Sequence, residues 1–308
     1  MSLLVVGSVA FDSVQTPFGK VDDVLGGSEL YFSTSASYFT DVQLVAVVGD
    51  DFPDEPVEFL RSRNVDVAGL HRAEGKTFRW KGEYGFDLNE AKTLETHLNV
   101  FSTFQPNLPA NYRDAKNVFL ANIDPELQLE VLNQVKSPEF VAMDTMNFWI
   151  NGKIDELRRT LKHIDMLVIN EGEARALSGE ANIVKAAAAI RSYGPKHLVV
   201  KRGEYGALLF SDDDVFFAPA YPLEAVFDPT GAGDTFAGGM IGYLARCGDR
   251  SSSNMRLGTV FGCVMASFVV EQFSFDALRG LNDDSIRRRF DQFRSLVTFD
   301  HLDALAAE

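Results

Sequence analysis

The stretch from Asp228 to Gly239 has the residue types of an anion-binding turn. It reads Asp-Pro-Thr-Gly-Ala-Gly-Asp-Thr-Phe-Ala-Gly-Gly, and its proline and glycines oppose regular structure up to about Gly233. From Asp234 onward, apolar residues recur at helical spacing. A glycine-rich turn that enters a helix leaves backbone N–H groups free, and the helix dipole makes that end positive. The stretch therefore predicts a phosphate site, with Asp234 beside it to accept a hydroxyl proton, which is the chemistry of phosphoryl transfer.

The same stretch has a simpler interpretation as a turn with a helix cap, because aspartate caps helices and glycine precedes them often. Twelve residues with proline, threonine and two glycine pairs at fixed places favour the functional interpretation. Two other phosphate-binding patterns do not fit. A dinucleotide fingerprint needs glycine or alanine where Phe236 stands, and a P-loop ending in Gly75-Lys76-Thr77 needs glycine at Leu70.

The stretch closely resembles the second signature of the ribokinase-like carbohydrate kinases, also called the phosphofructokinase-B family. Three further stretches extend the resemblance: Gly26-Gly27-Ser28 before an Ala/Ser-rich helix, Val47–Asp51 with the helix after it, and the Asn-x-x-Glu element Asn170–Glu173. Their order and spacing cover most of the chain. The resemblance implies an enzyme that moves the γ-phosphate of ATP to a hydroxyl of a sugar or related small molecule.

The resemblance also implies a role for individual residues. Asp234 is the catalytic base, and the backbone of Gly231, Ala232 and Gly233 forms the anion hole. The nucleotide side comprises Asn170, Lys201, Gly203, Gly206, Thr230 and Gly258. The substrate side comprises Asp12, Gly26, Gly27 and Tyr31. The cofactors are ATP and Mg²⁺, with Glu173 holding Mg²⁺ through water, and Asp228 marks a place for a monovalent cation such as K⁺.

Two of these assignments have alternatives. Asn170 followed by Glu173 is also a variant of the capping box, so it can serve the helix instead of the metal. Tyr31 stands where many family members have an asparagine that touches the sugar. With its aromatic neighbours, Tyr31 suggests a pocket for a nucleoside or a modified sugar, and its alternative place is the core between helices.

Three functions stay open at this point. The first is a kinase for a sugar or for a nucleoside such as adenosine. The second is a non-catalytic relative that senses sugar or nucleotide, which the intact Gly231–Asp234 motif opposes. The third is an NAD-dependent oxidoreductase, which the late position of the glycine-rich turn opposes. Turnover of ATP with a particular acceptor separates the first from the second.

The elements that must position these residues alternate between short apolar runs and longer helical patterns. We expect strands at Leu3–Val6, Leu44–Val48, Val118–Leu120, Phe140–Met143, Met166–Ile169, His197–Val200 and Ala207–Phe210. We expect helices at about 28–40, 53–64, 125–136, 153–163, 171–178, 182–193, 234–246, 251–272 and 283–296. This order predicts an α/β fold, a ribokinase-like three-layer sandwich whose mostly parallel sheet is flanked by helices.

Residues 72–104 break this rhythm, because 76–84 alternate polar and apolar residues like a half-exposed strand and 96–101 read as a second strand. With residues 9–27 they predict a small β-sheet lid inserted into a single domain that spans 1–308. Relatives often dimerise through this lid, so a homodimer is an expectation from the resemblance.

Composition limits the partners. The net charge of −15 over 308 residues opposes a nucleic-acid surface. The longest apolar run is about a dozen residues, whereas a membrane helix needs about 20. The N-terminus has no basic region of a signal peptide, and two cysteines suit a reducing compartment. We therefore expect a cytoplasmic protein.

Overall fold

The computed structural model describes residues 2–212 and 214–298, which form two β-sheets and their helices. The strands are β1 (Leu3–Val6), β2 (Ala10–Thr16), β3 (Gly19–Gly26), β4 (Val42–Gly49), β5 (Val65–Ala73), β6 (Phe78–Tyr84), β7 (Ala91–His97), β8 (Asn117–Leu120), β9 (Phe140–Met143), β10 (Met166–Asn170), β11 (His197–Lys201), β12 (Ala207–Ser211) and β13 (Asp214–Ala218). The larger sheet has the order β13-β12-β11-β10-β9-β8-β1-β4-β5, and the smaller has the order β3-β2-β6-β7. In the larger sheet, every neighbouring pair from β5 across β4, β1, β8, β9 and β10 to β11 is parallel. The pairs β11–β12 and β12–β13 are antiparallel.

The helices cover both faces of the larger sheet. They are α1 (Ser28–Ala36), α2 (Asp54–Ser62), α3 (Pro125–Gln134), α4 (Asn147–Gly152), α5 (Ile154–Leu161), α6 (Glu171–Ser178), α7 (Ile183–Arg191), α8 (Ala232–Cys247), α9 (Ser252–Val269), α10 (Asp276–Arg279) and α11 (Asp283–Val297). Within residues 2–212 and 214–298, no helix is both long and apolar enough to cross a bilayer.

Strand β1 shows how the three layers arise from its sequence. Its four residues are all fully buried, and their side chains alternate between two hydrophobic clusters. Leu3 and Val5 join the cluster that contains α1, α8 and α9. Leu4 and Val6 join the cluster that contains α5, α6 and α7. A continuous apolar run is what a strand covered on both faces requires, and the predicted three-layer α/β fold is confirmed.

The order of the strands places the cleft. From β1, the chain proceeds to β4 and β5 on one side and to β8 and the later strands on the other. In an open parallel sheet, such a reversal of strand order leaves a crevice beyond the carboxyl ends of the strands. Asp144, Asn170 and Lys201 end or follow β9, β10 and β11, so they face this crevice.

All seven predicted strands are present: β1 and β9 have the expected bounds, β8, β10, β11 and β12 are one residue longer, and β4 is three residues longer. Strands β5 and β13 were not predicted. In β5, buried Val65, Val67 and Gly69 alternate with exposed Asp66 and Ala68, because β5 is an edge strand with one covered face. Strand β5 begins at Val65, three residues after α2 ends at Ser62, and the helix expected at about 53–64 extended up to its start.

The smaller sheet consists of two insertions, one between β1 and β4 and one between β5 and β8. The expected second strand at 96–101 is wrong in position, since β7 ends at His97 and Asn99–Thr103 forms a 3₁₀-helix. Phe101 stacks on Phe78 and Phe104, with ring centroids 5.4 and 5.8 Å apart. Spacing by about one helical turn lets Phe101 and Phe104 face the same apolar surface, which an extended strand does not allow.

Candidate active site

The N-terminus of α8 forms the predicted anion-binding turn. The helix begins at Ala232, two residues earlier than expected, and Gly231 precedes it with a left-handed φ of 73°. No side chain caps this end. The N–H of Ala232 donates to the carbonyl of Pro229 at 3.1 Å. Among the described residues, no hydrogen bond is donated by the N–H of Gly231 or Gly233, so these two groups remain available to an anion.

Gly231 also lies directly against α1. A Cβ at this position would lie 2.4 Å from two carbons of the Tyr31 ring. Tyr31 is fully buried. The Tyr31 ring therefore packs between helices, as the alternative interpretation expects. Its hydroxyl has no hydrogen-bond partner among the described residues.

We predict that Gly231→Ala lowers the free energy of unfolding by about 2–4 kcal/mol, because it adds backbone strain and overpacking against Tyr31. Urea unfolding with an unchanged m-value measures the loss. Gly152→Ala is the control, since Gly152 has no heavy atom within 4 Å of an added Cβ. Equal stability of the two variants would contradict the packing described for Gly231.

Asp234 lies in the first turn of α8, next to Lys201 from the end of β11. Burial raises the pKa of Asp234 to about 6, and the Lys201 ammonium opposes this shift. The Lys201 Nζ is 2.7 Å from the point where a Cβ on Gly233 would lie. The ammonium therefore sits at the turn whose N–H groups are free, and it adds a full positive charge to the anion site.

Asn170 and Glu173 form a complete capping box at the start of α6. The Asn170 side chain accepts from the Glu173 N–H at 2.8 Å, and Glu173 Oε2 accepts from the Asn170 N–H at 2.7 Å. Glu173 Oε1 accepts no hydrogen bond from the described residues. Burial raises the pKa of Glu173, and the Lys201 ammonium opposes this shift. Lys201 therefore acts on both Glu173 and Asp234.

Two acids in the cleft have no role in the sequence analysis. Asp144 follows β9, and its Oδ1 is buried without a partner among the described residues. Burial raises the pKa of Asp144 well above its usual range, Asp234 adds to the shift and Lys201 opposes it. Glu29 in the first turn of α1 is fully buried, and neither of its oxygens makes a hydrogen bond of ordinary geometry with the part of the chain that the structure describes. Burial raises the pKa of Glu29 well above its usual range, and the backbone of Val45 opposes the shift.

A signal for each of these acids exists in the sequence. Asp144 directly follows a fully apolar strand that must be buried on both faces, which places it at the cleft edge. Glu29 is the charged residue in a helix of nine residues that are all buried. A charge in such a helix is costly unless it serves a site or stays neutral.

On the predicted substrate side, Asp12 lies with Gly26 and Gly27. Asp12 Oδ2 accepts from the Gly27 N–H at 3.3 Å and is 1.9 Å from the point where a Cβ on Gly26 would lie. Burial raises the pKa of Asp12 to about 7, the Gly27 N–H opposes the shift, and Asp228 and Asp234 add to it. Asp12, Gly26, Gly27 and Asp234 thus border one cleft.

Asp228 and Thr230 connect this cleft to the smaller sheet. Asp228 is buried, and its two oxygens accept from the N–H groups of Thr230 at 2.9 Å and Ser274 at 3.3 Å. The Thr230 hydroxyl donates to the Tyr84 hydroxyl at 3.4 Å. The end of β6 therefore touches the anion-binding turn, and the small sheet covers the cleft.

The remaining glycines on the predicted nucleotide side have different surroundings. Asn89, from the β6–β7 connection, lies against Gly203, with Oδ1 1.5 Å from the position of an added Cβ. Gly206 has a φ of 90° and lies against the backbone of Ala218 and Pro219. Gly258 is buried in the contact of α9 with α8, where an added Cβ would meet Leu244 at 3.2 Å. The structure thus gives Gly258 a packing contact and does not bring it to the residues around Asp234.

The sequence profile of the pfkB family carbohydrate kinases matches residues 14–277. The cytidine kinase of Thermococcus kodakarensis is 32% identical over 252 residues, which cover 80% of this chain and 89% of that protein. The inositol 3-kinase of Arabidopsis thaliana is 26% identical over 304 residues, which cover 93% and 80%.

Solved structures agree in fold. The crystal structure of the Methanocaldococcus jannaschii nucleoside kinase, an archaeal member of the ribokinase family, has a TM-score of 0.75 at 20% identity and covers 94% of this chain and 98% of that one. The Burkholderia thailandensis nucleoside kinase in complex with inosine has a TM-score of 0.72 at 17% identity and covers 95% and 99%.

Proposed function

This chain belongs to the pfkB family of carbohydrate kinases, and we propose that it moves the γ-phosphate of ATP to a hydroxyl of a sugar or nucleoside with Asp234 as the base. Its character as an ATP-dependent kinase of the ribokinase-like type is given by the family and its relatives. The observation that carries the finer proposal is that Asp234, Lys201 and the free N–H of Gly233 converge at the start of α8.

Each of these groups has a task in the transfer. The N–H groups of Gly231 and Gly233 and the Lys201 ammonium face the charge that develops on the transferred phosphoryl group. Asp234 accepts the proton of the attacking hydroxyl. Since transfer passes through a loose transition state, the proton leaves late and a moderate base suffices. The helix dipole alone would make Asp234 a weaker base, but burial outweighs the dipole and raises its pKa to about 6.

The acids around Lys201 suit Mg²⁺ held through water. Within residues 2–212 and 214–298, no three His, Cys, Asp or Glu side chains stand close enough to hold a metal ion directly. Among the described residues, Glu173 Oε1 accepts no hydrogen bond and Asp144 Oδ1 is buried without a partner in the same cleft. Mg²⁺ usually keeps several waters and uses one or two carboxylates, so this donor set fits it. Bound there, Mg²⁺ would neutralise phosphate charge.

The proposal has three further elements. Both carboxylate oxygens of Asp228 accept a backbone N–H, so K⁺ beside Asp228 would bind to the remaining lone pairs of these oxygens. A homodimer through the small sheet would cover the exposed strand β7 and Phe18. A cytoplasmic location follows the composition alone. These elements stay predictions.

The experiment is a coupled assay of ADP release with a panel of pentoses, hexoses, hexose phosphates, inositol and nucleosides. We expect one compound to stimulate ADP release well above the rate with ATP alone. Binding of panel members without any turnover would show a sensor instead of a kinase.

We predict that kcat falls about tenfold per pH unit below pH 6, because the base must be ionised and the pKa of Asp234 is about 6. The measurement is kcat at saturating substrates from pH 5 to pH 8. If kcat of Asp234→Asn still falls at low pH, the decrease reflects the titration of ATP and not that of Asp234. A flat profile down to pH 5 would contradict the assignment.

A further inference from the structure

The smaller sheet presents two chemically different faces. Strands β2 and β6 pair in parallel, with Asp12 beside Trp80. Because side chains alternate along a strand, Trp80 and Tyr84 share the face of Asp12, and the Tyr84 hydroxyl reaches Thr230. This face therefore looks into the cleft.

The opposite face of β6 carries the charged residues. Arg79 pairs with Asp51 at 2.8 Å, and Lys81 pairs with Glu95 at 2.8 Å. On the cleft side, the ionisable groups that act on Asp12 are the acids Asp228 and Asp234. The acids around Asp12 and the indole beside it favour an uncharged acceptor over its phosphate ester there, whereas the cation Lys201 lies at the anion-binding turn.

The indole of Trp80 lies flat on its own strand. A Cβ on Gly82 would be 2.1, 2.4 and 2.9 Å from three carbons of the six-membered ring, so only glycine leaves room for it. Trp80 Nε1 donates to Thr93 Oγ1 at 3.1 Å and fixes the ring from β7. Trp80 is nevertheless only partly buried. The cleft thus contains an oriented aromatic surface that remains accessible.

We propose that the acceptor is a nucleoside whose base stacks on the indole of Trp80, while Asp12 binds its sugar hydroxyls. The inference rests on the proposed function, since it names the substrate of the same cleft. Planar bases stack on aromatic side chains through their π-faces, whereas a free sugar has no such face. The similar cytidine kinase and the inosine-bound nucleoside kinase agree with a nucleoside as acceptor.

The test compares nucleosides with ribose in wild type, Trp80→Ala, Trp80→Phe and Gly82→Val. We expect Trp80→Ala to raise KM for the preferred nucleoside by about 5- to 150-fold, the range of one base stacked on an aromatic ring, with kcat within about threefold because stacking is uniform binding. Trp80→Phe should restore most of the affinity. Gly82→Val keeps the indole but displaces it, and should act like Trp80→Ala.

A second readout is spectroscopic. The chain has two tryptophans, Trp80 and Trp149, so Trp149→Phe leaves Trp80 as the fluorophore. Cytidine, adenosine and inosine should quench its fluorescence saturably, and ribose, fructose and inositol should not. Quenching without ADP release would support the nucleoside site and reject the kinase function. Turnover of a free sugar with equal effects of Trp80→Ala on sugar and nucleoside would overturn the inference, and so would the absence of any nucleoside binding.

Discussion

Asp234→Asn is expected to lower kcat by about 10²–10⁴-fold while ATP binding stays within a few-fold of wild type. Asparagine keeps the size and polarity of the side chain but cannot accept the proton of the attacking hydroxyl, and a positioned base contributes about this factor. The loss should appear equally in kcat and kcat/KM, since the interaction exists only in the transition state.

The measurement is steady-state ADP release at saturating ATP and acceptor, together with ATP binding by calorimetry. Asp284→Asn is the matched control, because Asp284 also lies in the first turn of a helix, α11, but is exposed. It should keep wild-type kcat. Near-normal turnover by Asp234→Asn would remove Asp234 from the role of base.

Lys201→Met is expected to lower kcat by about 10²–10³-fold, the effect of removing one fixed electrostatic group from a transition-state site. Lys201 is the cation that opposes the raised pKa values of Asp234, Glu173 and Asp144. Without it, these acids hold protons more tightly. The pKa of Asp234 therefore rises above its value of about 6, and the acid limb of kcat moves to higher pH.

A pH series of kcat for wild type and Lys201→Met measures both effects. Lys196→Met is the control, since Lys196 is exposed and its nearest acid, Asp165, is 3.9 Å away. It should leave the rate and the profile unchanged. A reduced rate with an unmoved acid limb would show that Lys201 binds phosphate without tuning Asp234. A limb that moves to lower pH would contradict the described electrostatics.

The sequence predicted the parts of the fold that depend on local pattern. Apolar runs such as Leu3–Val6 must be strands covered on both faces, and their order with the helices fixed the three-layer architecture. Strand β5 was not predicted, because a strand that is buried on one face has a weaker hydrophobic pattern than one buried on both. The 3₁₀-helix at Asn99–Thr103 was not predicted, because it depends on the stacking of Phe101 on Phe78, which is a tertiary contact.

In the candidate site, too, the residues of a local motif were predictable from the sequence, and those brought together by tertiary contacts were not. The turn before Asp234 is contiguous, so residue types and spacing were enough to predict an anion site. Asp144 and Glu29 meet Asp234 through tertiary structure, from positions 90 and 205 residues away along the chain. Trp80 needed the register of β2 with β6 and the contact with Gly82. The contacts themselves leave no periodic signal in one sequence, although the place of Asp144 after a fully buried strand and of Glu29 in a fully buried helix marks both acids as unusual.

The most direct test of the central claim follows the γ-phosphate itself. Wild type and Asp234→Asn are incubated with ATP labelled in the γ-phosphate and with the acceptor that the panel identifies, and the products are separated. We predict that wild type places the label in a phosphate ester of the acceptor, with little in inorganic phosphate, and that Asp234→Asn does so about 10²–10⁴-fold more slowly. Label that appears only in inorganic phosphate, or an ester formed equally fast by both proteins, would contradict the account.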